Sequence, residues 1–250
     1  MDIFSKRIAR ARRGDAGVRH CYPTGSSAPK VYYTLPAVVH KAPHVPLETS
    51  SIAELTKPYT KALLQFEGLE TERLVIRKVR LHDALDMYEY SKDTEVAKHV
   101  FWSAHKSVRE SYEYIQFLLH KYGKGSPTSY GIILKETGKL IGTIGFMGIK
   151  VEHACAEVGY SLKRSMWNKG IITEALQAIL CFGFFGLGLH RIDAMHECDN
   201  PASAKVLQKA GMQYEGISRQ KYYNKGRYVD VCHYGITFTE FIQQYGTKDV

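Results

Sequence analysis

Between residues 67 and 242 the spacing of apolar positions changes period repeatedly, and each change marks an element. Arg73-Leu-Val-Ile-Arg-Lys-Val79 alternates and carries β-branched residues, which predicts a strand. Ala84 to Tyr90 and Val96 to Val100 read as short helical pieces. Val108 to Tyr122 places Ile115, Leu118, Leu119 and Tyr122 at the i, i+3, i+4, i+7 spacing of a helix. Strands follow at Tyr130 to Leu134 and Leu140 to Ile149, joined by the turn Glu136-Thr-Gly-Lys139, and then at Ala156 to Leu162. A helix is expected from Ile171 to Phe185, a strand at His190 to Glu197, and a helix from Ala202 to Ala210 between Asn200-Pro201 and Gly211. Gly216 to Tyr222 and Arg227 to Phe238 read as a closing hairpin. Such an order is α+β, with a mainly antiparallel sheet and one β-α-β crossover.

Residues 1–66 look different. Six of the eight prolines fall there among Ser, Thr and basic side chains, which predicts an irregular, loosely docked extension. Within it, Ser51-Ile-Ala-Glu54 has capping-box spacing, and Pro58 followed by Tyr59, Ala62, Leu63 and Phe66 suggests a second short helix. Residues 243–250 read as a tail. The formal charge of +9 is also concentrated in the extension, where ten Lys/Arg face four Asp/Glu. The basic excess therefore says little about the body. It does leave open a ribosome or RNA contact through Lys6, Arg7, Arg10, Arg12 and Arg13.

Cys21, Cys155, Cys181, Cys198 and Cys232 are scattered and form no Cys-x-x-Cys pair, which argues against a disulfide framework or a zinc site and fits a reducing cytoplasm. No metal is expected. No secretory pattern is visible, and the apolar run from Ala175 to Leu189 falls short of the roughly 20 residues of a membrane span. Monomer and homodimer are both open.

Glu157 to Leu176 is the stretch with chemistry in it, a strand running through a tight loop into a helix. Gly170 allows unusual backbone angles, so successive N–H groups can converge on an anion at a helix N-terminus. The Gly-x-x-x-x-Gly-Lys-[Ser/Thr] spacing of a P-loop is absent. Gly183-Phe-Phe-Gly-Leu-Gly188 looks like a dinucleotide loop but follows a helix, which makes it a helix cap and turn.

Five blocks in order give this stretch its context: Leu69-Glu-Thr-Glu-Arg-Leu74, Leu140-Ile-Gly-Thr-Ile-Gly145, Ala156-Glu-Val-Gly-Tyr160, Trp167-Asn-Lys-Gly-Ile-Ile-Thr-Glu-Ala175, and Asn200-Pro-Ala-Ser203 through Lys209-Ala-Gly211. Over residues 67–242 the chain resembles the GNAT N-acetyltransferase superfamily, in its RimJ/RimL-like branch. The resemblance implies a sheet of about seven strands, flanked by helices, with a splayed central strand pair. It implies acetyl-CoA as co-substrate. The pantetheine arm would lie in the splay against Val158, Gly159, Tyr160 and Leu162. The pyrophosphate would take N–H groups of Trp167, Asn168, Lys169, Gly170, Ile171, Ile172 and Thr173, and Asn200 would bond the pantetheine or cap its helix. Asn168 stands where glycine is usual in the family, and Ile172 where a small residue is.

Acyl transfer to an amine needs a neutral nucleophile, a polarised carbonyl and a protonated leaving thiolate. Glu157 is the candidate base, through water, unless it is a pairing residue on its strand. Backbone N–H near Val158 or Gly159 would polarise the carbonyl. Many members of the superfamily place a tyrosine as acid where this chain has Leu207. The resembled branch has a serine on the first turn of that helix, here Ser203, which can equally be an ordinary first-turn residue. Cys198 is not assigned as a nucleophile, and direct amine attack is expected. Tyr222, Tyr223, Asn224 and Arg227 border the acceptor side, as specificity residues or as hairpin surface. The acceptor is an amine, on a protein N-terminus or a small molecule. The alternatives are a non-catalytic acyl-CoA-binding module and an RNA- or ribosome-associated protein.

Overall fold

A computed structural model describes residues 51–245 together with the strands Val18–Cys21 (β1) and Val31–Thr34 (β2). The elements that follow are α1 (Ile52–Leu64), β3 (Leu69–Glu70), β4 (Leu74–Arg77), α2 (Ala84–Ser91), α3 (Thr94–Ala97), α4 (Val108–Gly123), β5 (Ser129–Leu134), β6 (Leu140–Lys150) and β7 (Cys155–Leu162). After these come α5 (Ile171–Cys181), β8 (Arg191–Glu197), α6 (Pro201–Lys209), β9 (Gln213–Asn224), β10 (Arg227–Thr237) and α7 (Phe238–Tyr245). The basic positions Lys6 to Arg13 lie outside the described residues.

All strands join one sheet in the order β1-β2-β3-β4-β5-β6-β7-β8-β10-β9. Seven of them, β4 to β10, are the strands expected from the sequence, and β1, β2 and β3 extend that sheet at one edge. The supposedly irregular extension thus contributes strands: Val18–Cys21 pairs with Val31–Thr34, and Tyr32 and Tyr33 pair with Glu70 and Leu69. Pairing to an edge depends on partners far along the chain, which local composition does not reveal.

Three further expectations change. Residues 52–64 form one helix, not two, capped by Ser51, and it continues through Pro58 because burial of Leu55, Tyr59 and Leu63 offsets the hydrogen bond that proline lacks. The apolar helix ends at Cys181, and Phe182–Gly186 closes as a π-turn. Residues 238–245 form a helix, with Phe241 and Tyr245 buried, where a strand end and a tail were expected.

Alternation along β6 and β7 assigns the two faces of the sheet. Thr143 and Ser161 meet the Tyr90 hydroxyl of α2, and their hydroxyls lie 3.2 Å apart. Phe146, on the opposite face, stacks toward Phe182 at 6.3 Å between ring centres. The α2 and α4 layer therefore covers one face and α5 the other, and α5 also packs against α6. Among the described residues no helix is long and apolar enough to cross a membrane.

Phe146 has no solvent exposure and meets Gly183 and Phe182 at the end of α5. Phe146→Ala is expected to lower the unfolding free energy by about 3–5 kcal/mol in urea titration, as a large cavity in a packed core does.

Candidate active site

Among the described residues β7 and β8 are the only parallel neighbours in the sheet, and they pair over four residues alone, from Cys155 with Arg191 to Val158 with Ala194. Beyond that point β7 stays on β6 through Leu162, and β8 stays on β10 through Glu197. The facing edges of Gly159–Leu162 and Met195–Glu197 are left without a ladder partner. Unpaired backbone groups in a sheet interior call for a substitute, and an extended amide-bearing ligand is the natural one. A bulge at Met147, between the pairs Phe146–Val158 and Gly148–Glu157, bends the sheet at the same level. This is the expected splay.

Alternation then sorts the side chains at the gap. Glu157 stands on the α2 face beside Asp193, its parallel partner. Burial and the Asp193 carboxylate push the Glu157 carboxyl above the usual range, against Lys221 and Lys150. Val158 and Tyr160 stand on the α5 and α6 face. Tyr160 reaches across to α6, where its hydroxyl lies 2.7 Å from Ser203 Oγ. The Ser203 N–H donates to Asn200 Oδ1 at 3.2 Å, so Asn200 caps α6 and fixes the backbone under the serine. His196, on the same face as Ala194, donates from Nδ1 to the Glu197 carbonyl at 2.7 Å. Its Nε2 is buried with no protein partner, and desolvation holds the ring below its ordinary pKa.

Past β7 the chain enters the loop before α5. Asn168 and Gly170 both take left-handed angles, φ 59° and 72°. Asparagine tolerates that region better than most residues, which explains why it can stand where the family has glycine. The first helical bond of α5 runs from the Glu174 N–H to the Gly170 carbonyl, so the N–H groups of Ile171, Ile172 and Thr173 precede the helical ladder. Ile172 itself is buried, so its size faces the core. The loop retains the cradle that an anion needs, and its residues fit a pyrophosphate. Leu162 contributes less: its side chain is buried, and its carbonyl accepts from Trp167 Nε1 at 2.8 Å.

A clamp under this loop was not anticipated. Glu174 is buried, and its carboxylate accepts from the Thr71 hydroxyl at 2.5 Å, the Arg73 N–H at 3.0 Å and Arg73 Nε at 2.7 Å. Arg73 also donates to the Lys169 carbonyl at 2.9 Å, tying β4 to the loop. One signal was available: Glu174 is the single charged residue between 171 and 189.

The end of β8 is held by Glu197, whose side chain is 2% exposed. It accepts from Asn224 Nδ2 at 2.5 Å and Arg227 at 2.9 Å, and pairs with His99 at 3.1 Å. Lys225 donates to the Ala97 and Val100 carbonyls. Asn224 and Lys225 therefore tie the hairpin to the segment at and after the end of α3, and Arg227 ties it to the end of β8. Tyr222 packs on Phe101, while Tyr223 and Tyr228 stand exposed against each other. His99, Glu197 and Asp199 bring donor atoms within 4.8 Å of one another, but the Arg227 guanidinium already occupies both carboxylates.

The cysteine expectation needs correction. Cys198 and Cys232 form a disulfide between the end of β8 and the adjacent β10, with Cα atoms 5.2 Å apart. The pair is 34 residues apart in sequence, and only strand pairing brings it together. Cys198 is thus bonded, in line with its not being assigned as a nucleophile.

A mixed sheet with one splayed parallel pair and an N–H loop leading into the crossover helix is the architecture of an acetyltransferase fold. Comparison with known proteins agrees. The family model for the acetyltransferase (GNAT) domain matches residues 73–213. The uncharacterized N-acetyltransferase p20 of Bacillus licheniformis is 38% identical over 175 residues, which are 70% of this chain and 98% of that protein. The ribosomal-protein-serine acetyltransferase of Escherichia coli strain K12 is 36% identical over 103 residues, 41% of this chain and 57% of that one. Mycobacterium smegmatis RimJ in complex with CoA-disulfide has the same fold, at TM-score 0.63 and 23% identity over 69% of this chain and 86% of its own. The chain belongs to the GNAT acetyltransferase family, on its RimJ/RimL-like side, and is an N-acetyltransferase.

Removing the Glu174 carboxylate leaves Thr71 and Arg73 unsatisfied beneath the loop. Glu174→Ala is expected to cost about 3 kcal/mol in urea unfolding, the scale for breaking a buried ion pair from one side.

Proposed function

We propose that the protein transfers an acetyl group from acetyl-CoA to a primary amine by direct attack in a ternary complex. The single observation that carries this reading is the end of β7–β8 pairing at Val158 and Ala194, on a strand that runs on into the Asn168–Thr173 loop. Val158, Gly159 and Tyr160 would hold the pantetheine through the unpaired edge of β7. Gly170 and the N–H groups of Ile171, Ile172 and Thr173 would hold the pyrophosphate, helped by the partial positive charge of the α5 N-terminus. The orphaned Nε2 of His196 offers a further polar contact inside the gap.

The amine nitrogen attacks the thioester carbonyl carbon. Glu157 removes its proton through water, and the raised pKa of its carboxyl suits that task. Backbone N–H at Val158 or Gly159 faces the carbonyl oxygen. As the carbon–sulfur bond breaks, the electron pair passes to sulfur and Ser203 supplies a proton, which it regains from water. Base and acid act from opposite faces of the sheet. The name of the E. coli relative makes a ribosomal protein the first acceptor to try, ahead of small-molecule amines. The cytoplasm, which holds acetyl-CoA and ribosomes, is the compartment this reading requires.

The deciding experiment is a screen of peptides with free N-termini and of small amines, with acetyl-CoA as donor and product mass spectrometry. An acetylated amine is expected; CoA binding with no product from any acceptor would favour a non-catalytic module. Glu157→Gln should lose more activity at low pH than at high pH, because an amine above its own pKa, about 8 for an α-amino group, needs no base. A loss equal at all pH values would make Glu157 a positioning group. Gly170→Val, forced into a left-handed angle, should weaken CoA binding about tenfold in calorimetry. Unchanged affinity would move the pyrophosphate elsewhere.

A further inference from the structure

Ser203 does not stand alone: its hydroxyl is partnered by a tyrosine from β7. Val158 is the last residue of β7 paired with β8, and Tyr160 is the next on the same face. Its side chain leaves β7 and ends on α6, the helix that follows β8, so it spans the two elements that bound the gap. The Tyr160 hydroxyl lies 2.7 Å from Ser203 Oγ and 3.5 Å from the Ser203 carbonyl. The Asn200 cap pins the serine backbone, which leaves χ1 and the hydroxyl rotor as the serine's remaining freedoms.

Resting on the acetyl-transfer reading, we propose that Tyr160 is a positioning residue, which donates its hydroxyl hydrogen to Ser203 Oγ and so turns the serine hydrogen toward the leaving sulfur.

The direction of that bond follows from acidity. A phenol is a stronger acid than an aliphatic alcohol, and the alcohol oxygen is the better acceptor, so the Tyr160-to-Ser203 direction is favoured. Burial pushes the tyrosine pKa up, which keeps it protonated over the working range. The serine needs such help. An aliphatic hydroxyl is a poor proton donor because its oxygen holds negative charge badly. A hydrogen bond into that oxygen stabilises the charge as the proton moves to sulfur. Without the tyrosine, a first-turn serine can turn its hydrogen to a backbone carbonyl one turn back instead. Electrons balance without a further reactant: the carbon–sulfur pair goes to sulfur, the serine proton follows it, water restores the serine, and Tyr160 keeps its own proton.

The test is a cycle of Tyr160→Phe, Ser203→Ala and the double variant, assayed with acetyl-CoA and an acceptor from the screen. Tyr160→Phe should lower kcat about tenfold, the scale of one lost hydrogen bond and less than the loss of the acid itself, with KM for acetyl-CoA within about twofold. The double variant should be no slower than Ser203→Ala, since Tyr160 acts through Ser203. Calorimetry with CoA and desulfo-CoA reads the same bond without turnover. The preference for CoA should be severalfold in the unsubstituted protein and should shrink alike in both single variants, on the scale of about one ordinary hydrogen bond. An unchanged kcat, a loss confined to KM, or losses that multiply in the double variant would overturn the proposal. All variants are assayed below the melting transition of Tyr160→Phe, and the same change in a Ser203→Cys background gives a second reading. A thiol is acid enough to donate unaided, so the tyrosine change should there cost less than about twofold, and a full loss would refute the relay. Failure of every amine to react would sink the transfer reading itself, while the CoA and desulfo-CoA comparison would still decide the hydroxyl pair.

Discussion

The carboxylate of Glu174 is the constraint on which the donor side of this molecule depends. It sits on the first turn of α5, out of solvent, and takes three donors from Thr71 and Arg73. A buried carboxylate with those partners removed would be costly, so the β3–β4 turn and the start of α5 hold or fail together. Arg73 extends the same contact to the Lys169 carbonyl, just before the glycine at which the helix begins. The loop can therefore hold two left-handed residues, Asn168 and Gly170, in one arrangement. Its N–H groups are arranged before any ligand arrives, and the ordering cost is met by the fold.

The splay between β7 and β8 works by a different logic. A parallel pair that stops after four residues leaves backbone donors and acceptors facing each other across a gap in the middle of a sheet. Such a defect persists only because both strands are secured on their outer edges, β7 by β6 and β8 by β10. The bulge at Met147 bends β6 at the same level. Pleating then sorts the side chains at the gap. Glu157 and Asp193 fall on the α2 face, and Tyr160, His196 and Ser203 on the α6 side. Separation of the carboxylates from the hydroxyls is a consequence of strand alternation.

The far end of β8 is braced rather than open. Glu197, at the end of β8, gathers Asn224, Arg227 and His99, and Lys225 adds two backbone carbonyls, so the closing hairpin and the segment after α3 form one wall. The Cys198–Cys232 bridge ties the same strand ends covalently. The side chains that this wall presents are aromatic: Phe101 with Tyr222, and Tyr223 with Tyr228.

Hydrophobic period alone placed β4 to β10 and helices α2, α4, α5 and α6, because each buries one face against the same core. It also marked Gly170 and Glu157, and the order of motifs brought in Asn168, Asn200 and Ser203. Where it failed, the cause was contact between distant residues. The edge strands Val18–Cys21 and Val31–Thr34 exist because β3 offers them an edge, and α1 runs through Pro58 because its buried side chains outweigh one lost bond. The Glu174 clamp joins positions 101 and 103 residues apart, the Cys198–Cys232 bridge joins positions 34 apart, and Tyr160 meets Ser203 across 43. Sequence by itself determined which segments bury and which turn, since those follow from local side-chain properties. Tertiary structure alone decided which strand edges stay unpaired and which hydroxyls and carboxylates share a hydrogen bond, since those depend on distances that no local pattern encodes.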